Sequence, residues 1–588
     1  MNQWSFKPGA PQEFKEGLSQ YPSFVLDLLY QRGLKSKKDV GDFLKPDYEK
    51  QLNDPLLMRG MDRAVGRIVN AIKKEQKVAI FGDYDTDGVC GAAVLNSFFN
   101  LFDFQPEIYI PGRVKEGYGL NCQAIEHLAD KGVKLAITVD CGVTDFVEID
   151  LANKLGMDVI VLDHHYVEDR LPNALAVVDP WQRGCDYPFK NLAGVGVAFK
   201  AIQALLKSNF AKKNAEKIPV AFDKWLLDLV ALGTVVDCMP LLGENRVIVK
   251  YGLVVLAQSQ RPGIRALMNI AGVKPIFDSQ NLTTNLDSHT LGYALGPRLN
   301  AAGRMSHANM AYELLICQSD QEAEFLAKRL DEKNQERQAE TSRVLAQVEE
   351  RLKKIDELPM LIFEGDESWS IGINGLVAGK LSDKYFRPAF IYKIEGENVV
   401  GSARSIPGFN IIKALTNVKD YLSEFGGHSG AAGFSTKKDN LMDLKNSLEK
   451  IINKEVRPEA LEPQLNLDLT LSARDISWQT YGQLRALAPF GQANPEPICC
   501  LNNVEIINLS LVGNGSKHLR LDLRARADQP GDSRFFIFRA VGFNFSDWAQ
   551  KLKLGDKIDV AFELMSDDWR GPEQVQLKLV DLRISTGF

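Results

Sequence analysis

Three aspartates at alternate positions, Asp83, Asp85 and Asp87, follow the apolar run Lys77-Val78-Ala79-Ile80-Phe81. Asp163-His164-His165 follows a second run, Met157-Asp158-Val159-Ile160-Val161-Leu162, Asp140 closes a third, Lys134 to Val139, and Asp237 ends the apolar segment Asp223 to Val236. The chain has only seven histidines, and two of them stand side by side after an acid. Carboxylates joined by one or two imidazoles suit Mn²⁺ better than Ca²⁺, and Mg²⁺ less well because of the histidine. A lone histidine would more simply be a core residue satisfied by a backbone carbonyl; Asp-His-His at a strand end argues against that reading. The alternation at 83, 85 and 87 could also open a calcium loop. That motif needs acids continuing to a Glu at its twelfth position between two helices, whereas a strand precedes it here. Five or six carboxylates on one edge repel unless cations neutralise them, and two cations about 3.5–4 Å apart need a bridging carboxylate. Asp140, midway through the series, is the candidate bridge. The chemistry favoured is metal-assisted hydrolysis of a phosphate ester or anhydride.

Elements far apart in sequence must bring these groups together. Short β-branched runs alternate with helices of about ten residues from Lys77 to Leu162, the pattern of βαβ units and a parallel sheet. Parallel strands present their carboxyl ends on one edge, so the acids at 83 to 87, 140 and 163 are predicted to converge. A more helical wave follows, then Gly296 to Arg304, read as a polar loop in which Arg298 and Arg304 flank small residues. From about Asp320 to Ile355 the chain is charged, free of Gly and Pro, and apolar at helical spacing. One helix of that length spans roughly 50 Å and is expected to be a solvated connector. A new α/β pattern begins at Met360, and short alternating strands from about 463 onward suggest a small β-barrel. The expected domains are an N-terminal helical segment (1–60), a parallel-sheet α/β domain (61–318), a connecting helix (319–357), a smaller α/β domain (358–456) and the barrel (457–588).

Composition sets the outer limits. Of 588 residues, 45% are hydrophobic and 25% charged, which is ordinary for a globular protein. No window approaches the ~20 apolar residues that span a bilayer, and Met1-Asn2-Gln3-Trp4 lacks a signal-peptide pattern. Eight cysteines without metal-finger spacing point to a reducing, cytoplasmic setting. A net charge of −6 excludes a uniformly basic nucleic-acid coat but not a local basic groove.

Gly82-Asp83-Tyr84-Asp85-Thr86-Asp87-Gly88, Val139-Asp140-Cys141-Gly142, Asp163-His164-His165 and Gly233-Thr234-Val235-Val236-Asp237 resemble the successive motifs of the DHH phosphoesterase superfamily. Gly426-Gly427-His428 with Ala431-Ala432-Gly433-Phe434 is similar to its accessory DHHA1 domain. Within the superfamily, Glu116 to Leu120, Leu192 to Phe199, Pro297 to Arg304, and Pro489-Phe490-Gly491 before Asn494-Pro495-Glu496-Pro497 resemble the RecJ family of single-strand-specific 5′→3′ DNA exonucleases. The fold implied is a DHH parallel-sheet domain joined by a long helix to a smaller α/β DHHA1 domain, followed by an OB-type barrel.

The resemblance implies two divalent ions, Mn²⁺ or Mg²⁺, on Asp83, Asp85, Asp87, Asp140, His164 and Asp237. Catalysis would rest on Asp85, Asp87, Asp140, His164 and His165, with Asp163 orienting an imidazole. Arg113, Ser402 and Arg404 would receive a 5′-terminal phosphate. Arg298, Asn300, Arg304, Gly426, Gly427 and His428 would line the strand's path. Implied partners are single-stranded DNA with a 5′ end, a single-strand-binding protein and a RecQ-type helicase, with the chain a monomer free of membrane and acting in recombination and repair. The family pattern is broken at Ser370, where a His is usual, and at Ala493, where a Gly is usual. Two rival readings are a phosphodiesterase for short oligonucleotides or cyclic dinucleotides, and a scaffold that has lost its metal ligands. The β texture after 463 argues against the first, and the filled ligand positions argue against the second.

Overall fold

The computed structural model describes residues 3–113, 116–167, 170–305, 308–457, 461–527, 534–567, 571 and 573–585. The chain divides into two compact units, Asp47–Leu461 and Met1–Pro46 with Glu462–Phe588. In the larger unit, β1 (Val78–Gly82), β2 (Glu107–Tyr109), β3 (Leu135–Val139), β4 (Asp158–Leu162) and β5 (Ala176–Val178) form one sheet in the order β2-β1-β3-β4-β5. Every pairing is parallel. Helices cover both faces, which is why β1 and β3 are buried at every residue and read as continuous apolar runs. The order reverses between β1 and β3, and open α/β sheets bind ligands at the carboxyl edge of such a reversal. Against one face lie α1 (Thr86–Asn100), α2 (Gly194–Lys207) and α3 (Leu227–Val236).

The stretch read as a polar loop is helical. A π-helical turn, Thr290–Leu295, runs into α4 (Gly296–Met305). Leu299, Ala301 and Ala302 are buried there, so good helix formers packed against the core outweigh the glycines at its ends. The connector is α5 (Asp320–Leu352), a single helix of 33 residues. It is no solvated strut. Ala323, Leu326, Ala327 and Leu330 belong to the core of the parallel-sheet lobe, while Val344, Val348 and Leu352 belong to the next lobe's core. That second lobe contains β6 (Ile362–Asp366), α6 (Ile371–Tyr385), β7 (Ala389–Glu395), β8 (Asn398–Arg404), β9 (Glu424–His428) and β10 (Ala431–Lys437), with strand order β9-β10-β8-β7-β6. β9 is an edge strand, exposed along its whole length.

The smaller unit is a closed β-barrel. Its strands β11 (Cys499–Val512), β12 (His518–Arg526), β13 (Phe535–Gly542), β14 (Lys557–Ser566) and β15 (Val575–Ile584) run in the order β11-β12-β13-β15-β14, and β14 pairs back onto β11. The first 46 residues belong to this unit, and in the expected N-terminal helical segment Gln12–Glu16, Ser23–Gln31 and Lys37–Leu44 are helices after an opening strand. Gln3–Phe6 is a strand paired in parallel with Gln464–Leu467, and the Trp4 indole donates to Asp581 (2.8 Å) beneath the Arg583 guanidinium, 4.3 Å from the ring. The two compact units divide at residue 46, within the expected helical segment 1–60. No described helix is long and apolar enough to cross a membrane.

Ala493 has φ +60°, a left-handed backbone costing a residue with a Cβ on the order of 1–2 kcal/mol. It is held there by the Gly491–Asn494 bridge and by Asn494, whose buried amide donates to Leu487 O (2.9 Å) and Pro489 O (2.8 Å). Ala493→Gly is expected to raise the stability of the barrel unit by about 1 kcal/mol, measured by denaturant unfolding; a loss of stability would contradict this origin for the usual glycine.

Candidate active site

Strand register builds the acidic edge. Gly82, Val139, Leu162 and Val178 are partners at the ends of adjacent strands, and the next residue in each case is an aspartate: Asp83, Asp140, Asp163 and Asp179. Backbone bonds continue the alignment, from Asp83 N to Val139 O (3.3 Å), Asp140 N to Leu162 O (3.0 Å) and Asp163 N to Val178 O (3.1 Å). Asp85 caps α1, its Oδ1 accepting the amides of Asp87 (2.9 Å) and Gly88 (3.2 Å). Asp87 accepts the amides of Gly194 (2.6 Å) and Val195 (2.9 Å) where α2 begins, the end of a helix dipole that favours an anion. Asp237 caps the opposite, unfavourable end of α3.

Asp140 occupies the middle of this set in a left-handed conformation, φ +63°. Tyr118 Oη donates to its carbonyl (3.0 Å), and a Cβ on Gly194 would lie 2.6 Å from its own Cβ, so only glycine fits beside it. His164 Nε2 lies 3.1 Å from Asp140 Oδ1, 3.6 Å from Asp237 Oδ2 and 3.9 Å from Asp87 Oδ2. Ligand atoms of Asp83, Asp85 and Asp140 lie within 4.8 Å of one another, as do those of Asp87, His164 and Asp237, and those of Asp140, His164 and His165. Asp140 thus joins one group to the other.

The electrostatics fit divalent cations. Burial, then the charge of Asp85, raises Asp83 well above the carboxylate range. The same two causes raise Asp87 to about 7. Burial followed by the Asp87 and Asp85 charges raises Asp140 and Asp237 well above that range too. Asp83 Oδ1 and Asp237 Oδ2 are buried without a hydrogen-bond partner. Burial, then the charge of His165, lowers His164 to about 4, which leaves its imidazole neutral and able to ligate. His165 and Arg113 offset only part of this charge, since the carboxyls stay raised despite them; ions of the Mn²⁺ type suit the oxygen-rich, single-imidazole donor set.

Asp163 serves the histidines. It is fully buried and accepts the amides of Val143 (3.1 Å), His164 (2.8 Å) and His165 (3.3 Å), and His165 Nδ1 (2.8 Å). Burial opposes its ionisation, but the hydrogen bond and charge of His165 hold it below the usual range. Against its own burial, His165 is raised to about 9 by that same bond, so it carries a proton at neutral pH.

The residues implied for substrate contact divide in two. Arg113 lies 5.0 Å over the Tyr84 ring and acts on the Asp83 charge. Arg304 donates to Gly372 O (3.3 Å) at the start of α6. Arg404 donates to Ala403 O (2.9 Å), and its NH2 lies 3.1 Å from where a Cβ on Gly375 would stand; Ser402 Cβ is 3.7 Å from the same point. Gly426, Gly427 and His428 form the exposed edge β9. By contrast, Arg298 is tied to Asp331 on α5 (2.9 Å) and to Ala294 O (2.6 Å). Asn300 Oδ1 accepts both the amide and the hydroxyl of Thr86 (2.8 Å each), so it steadies the acidic loop. Ser370, in place of the usual His, is the cap residue of α6 without a side-chain cap bond.

Sequence reasoning missed several neighbours. Asp179 is fully buried, and burial then the Asp163 charge raises it to about 8; the signal was a fourth apolar run ending in an acid. Arg337 and Asn374 gave none, since helical periodicity makes each one polar residue among many.

Comparison with known proteins agrees with this geometry. The DHH family, N-terminal domain, matches residues 77–234, the DHHA1 domain residues 340–454, and the RecJ OB domain residues 467–581. The chain is 35% identical over 565 residues to the single-stranded-DNA-specific exonuclease RecJ of Bacillus subtilis (strain 168), covering 95% of this chain and 68% of that protein. It is 30% identical to the protein of the same name from Dickeya dadantii (strain 3937), covering 98% of each. The crystal structure of RecJ in complex with Mn²⁺ from Thermus thermophilus superposes with a TM-score of 0.80 at 26% identity, over 100% of this chain and 80% of that one. With DHH, DHHA1 and OB modules in the same order, the chain belongs to the RecJ family of DHH/DHHA1 phosphoesterases.

Proposed function

We propose that this chain is a metal-dependent exonuclease that hydrolyses single-stranded DNA from its 5′ end in cytoplasmic recombination and repair. The observation that carries the reading is the pair of ligand groups joined through Asp140 on one sheet edge, with Arg113 over the Tyr84 ring of the acidic loop. Asp83, Asp85 and Asp140 would hold one divalent ion, Mn²⁺ or Mg²⁺, and Asp87, His164 and Asp237 a second. Such a pair polarises a phosphoryl oxygen and lowers the pKa of water to near 7.

The chain's own residues supply position and charge. His165, proton-bearing and fixed through Nδ1 by Asp163, offers its other N–H to a phosphoryl oxygen. Arg113, Ser402 and Arg404 receive the terminal phosphate, because a guanidinium fork matches phosphate oxygens in a way an ammonium cannot. Gly426 and Gly427 leave the exposed β9 edge open to a sugar–phosphate backbone, with His428 at its end. Arg298 and Asn300 act less directly, by fixing α4 to α5 and the acidic loop to α4. The barrel belongs to a fold that grips single strands by stacking and backbone contact rather than base-edge readout. A single-strand-binding protein and a RecQ-type helicase are the partners such an activity would meet.

Digestion of a 5′-phosphorylated, end-labelled single strand should release the labelled mononucleotide first with either metal, leaving duplex and circular strands intact. Equal attack on circular DNA would contradict an end-directed mechanism, and preference for a dinucleotide over a long strand would favour the small-substrate phosphodiesterase.

Stability should also report the site. In metal-free protein the carboxyls of Asp83, Asp87, Asp140 and Asp237 have folded pKa values above their unfolded ones. Each therefore contributes stability below the unfolded pKa, near 3.9, and loses it as pH rises through the folded value, about 7 for Asp87. Thermal denaturation in a chelator should show Tm falling between about pH 5 and pH 8, and Mn²⁺ should raise Tm more at the higher pH. Asp140→Asn should flatten that fall and abolish cleavage. A Tm that rises with pH in chelator would show that the acids are not mutually repelling.

A further inference from the structure

The strap Glu116-Gly117-Tyr118-Gly119-Leu120 contributes no member to the ligand groups, yet it is pinned more firmly than a surface loop needs. Glu116 accepts the Gly112 amide through Oε2 (2.6 Å) and the Tyr109 hydroxyl through Oε1 (2.6 Å), which ties one end to the close of β2. At the other end the Leu120 amide donates to Asp145 Oδ2 (2.7 Å), just before the helix Phe146–Lys154. Gly117 and Gly119 have φ +84° and +83°, left-handed values that glycine adopts without strain. A Cβ on Gly119 would lie 2.8 Å from Asp145 Oδ2, so a larger residue has no room there. The two glycines bracket Tyr118.

Tyr118 is 46% exposed, and what holds it is its hydroxyl. Oη donates to the carbonyl of Asp140 (3.0 Å) and lies 3.1 Å from His165 Nδ1. The proton on that nitrogen faces Asp163 Oδ1 (2.8 Å), so the tyrosine keeps its own proton for Asp140 and accepts a share of the imidazole's. The two rings meet edge to face, with centroids 5.5 Å apart at 67°. One hydroxyl thus touches the backbone of the residue common to the ligand groups and the imidazole beside it, whose Nδ1 is 3.8 Å from Asp140 Oδ1. Asp140 needs such support, because its φ of +63° persists only where the surroundings over-determine it. Thr138 Oγ1 donates to the next carbonyl, that of Cys141 (2.7 Å), from within β3; Tyr118 reaches the turn from a different element.

We propose that Tyr118 is a positioning residue: through one hydroxyl it fixes the backbone that carries the Asp140 carboxylate and the plane of the His165 imidazole relative to each other. This rests on the two-ion reading above. The pinned strap and its glycines are what deliver the hydroxyl to that place. A group that orients a ligand without ligating costs roughly ten- to a hundredfold in metal affinity or rate when it is lost.

Tyr118→Phe isolates the claim, since it removes the hydroxyl and leaves the ring. In the full chain without DNA, Mn²⁺ binding followed by electron paramagnetic resonance should weaken roughly tenfold. With saturating Mn²⁺ and a 5′-phosphorylated single strand, kcat should fall roughly ten- to a hundredfold while KM stays within about twofold of wild type. Gly119→Ala, which displaces the strap and leaves the hydroxyl in place, should lower kcat in the same direction. The double variant should be no worse than the poorer single one, because both act through one contact. Mn²⁺ binding or kcat within about twofold of wild type in Tyr118→Phe would overturn the assignment, and so would losses that multiply in the double variant. A raised KM with unchanged kcat would overturn it too, since that is what a tyrosine that only meets the strand gives. Absence of Mn²⁺ binding in wild type would instead sink the two-ion reading on which the assignment depends.

Discussion

Mutual repulsion among buried carboxylates is the constraint around which the larger unit is arranged. Five aspartates and a neutral imidazole share one small volume at the switch point of a parallel sheet, and two carboxylate oxygens there are buried with no partner. Folding alone gains nothing from this. Desolvating one carboxylate costs several kcal/mol unless it is paired, and apart from His165, 3.8 Å from Asp140, the nearest charged groups are other carboxylates. Such an arrangement is held by what surrounds it: four flush strand ends, two helix termini that donate amides to Asp85 and Asp87, and a tyrosine that fixes the Asp140 carbonyl. The site is thus preorganised by backbone, and the unmet charge is left for cations.

α5 passes from one lobe's core to the other's. It is consequently more than a spacer: it buries apolar residues in both lobes and anchors Arg298 through Asp331. The excess of anions at the sheet edge is costly by itself and is complemented by divalent metal ions.

Much of the metal site was legible in the sequence because strand polarity converts sequence position into spatial position. Each of Asp83, Asp140 and Asp163 ends a buried apolar run, so a parallel sheet must place them together whatever the intervening length. The less legible features depend on tertiary packing. The Gly296-to-Arg304 stretch looked like a loop because its glycines and polar residues hide a helix stabilised by burial of Leu299, Ala301 and Ala302. α5 looked solvated because its apolar stripe is sparse, and one face sufficed to join two cores. The N-terminal strand could not be foreseen, since its partner, Gln464–Leu467, is separated from it by the whole larger unit. Asn300 and Arg298 were recognisable by motif, but only the folded arrangement shows that they steady the site, through Thr86 and Asp331.

Anomalous diffraction at the manganese edge, on crystals grown with Mn²⁺, addresses the central claim most directly. The account predicts two peaks, one among Asp83, Asp85 and Asp140 and the other among Asp87, His164 and Asp237, with Asp140 within reach of both. A single peak, or peaks that leave Asp140 unligated, would contradict it.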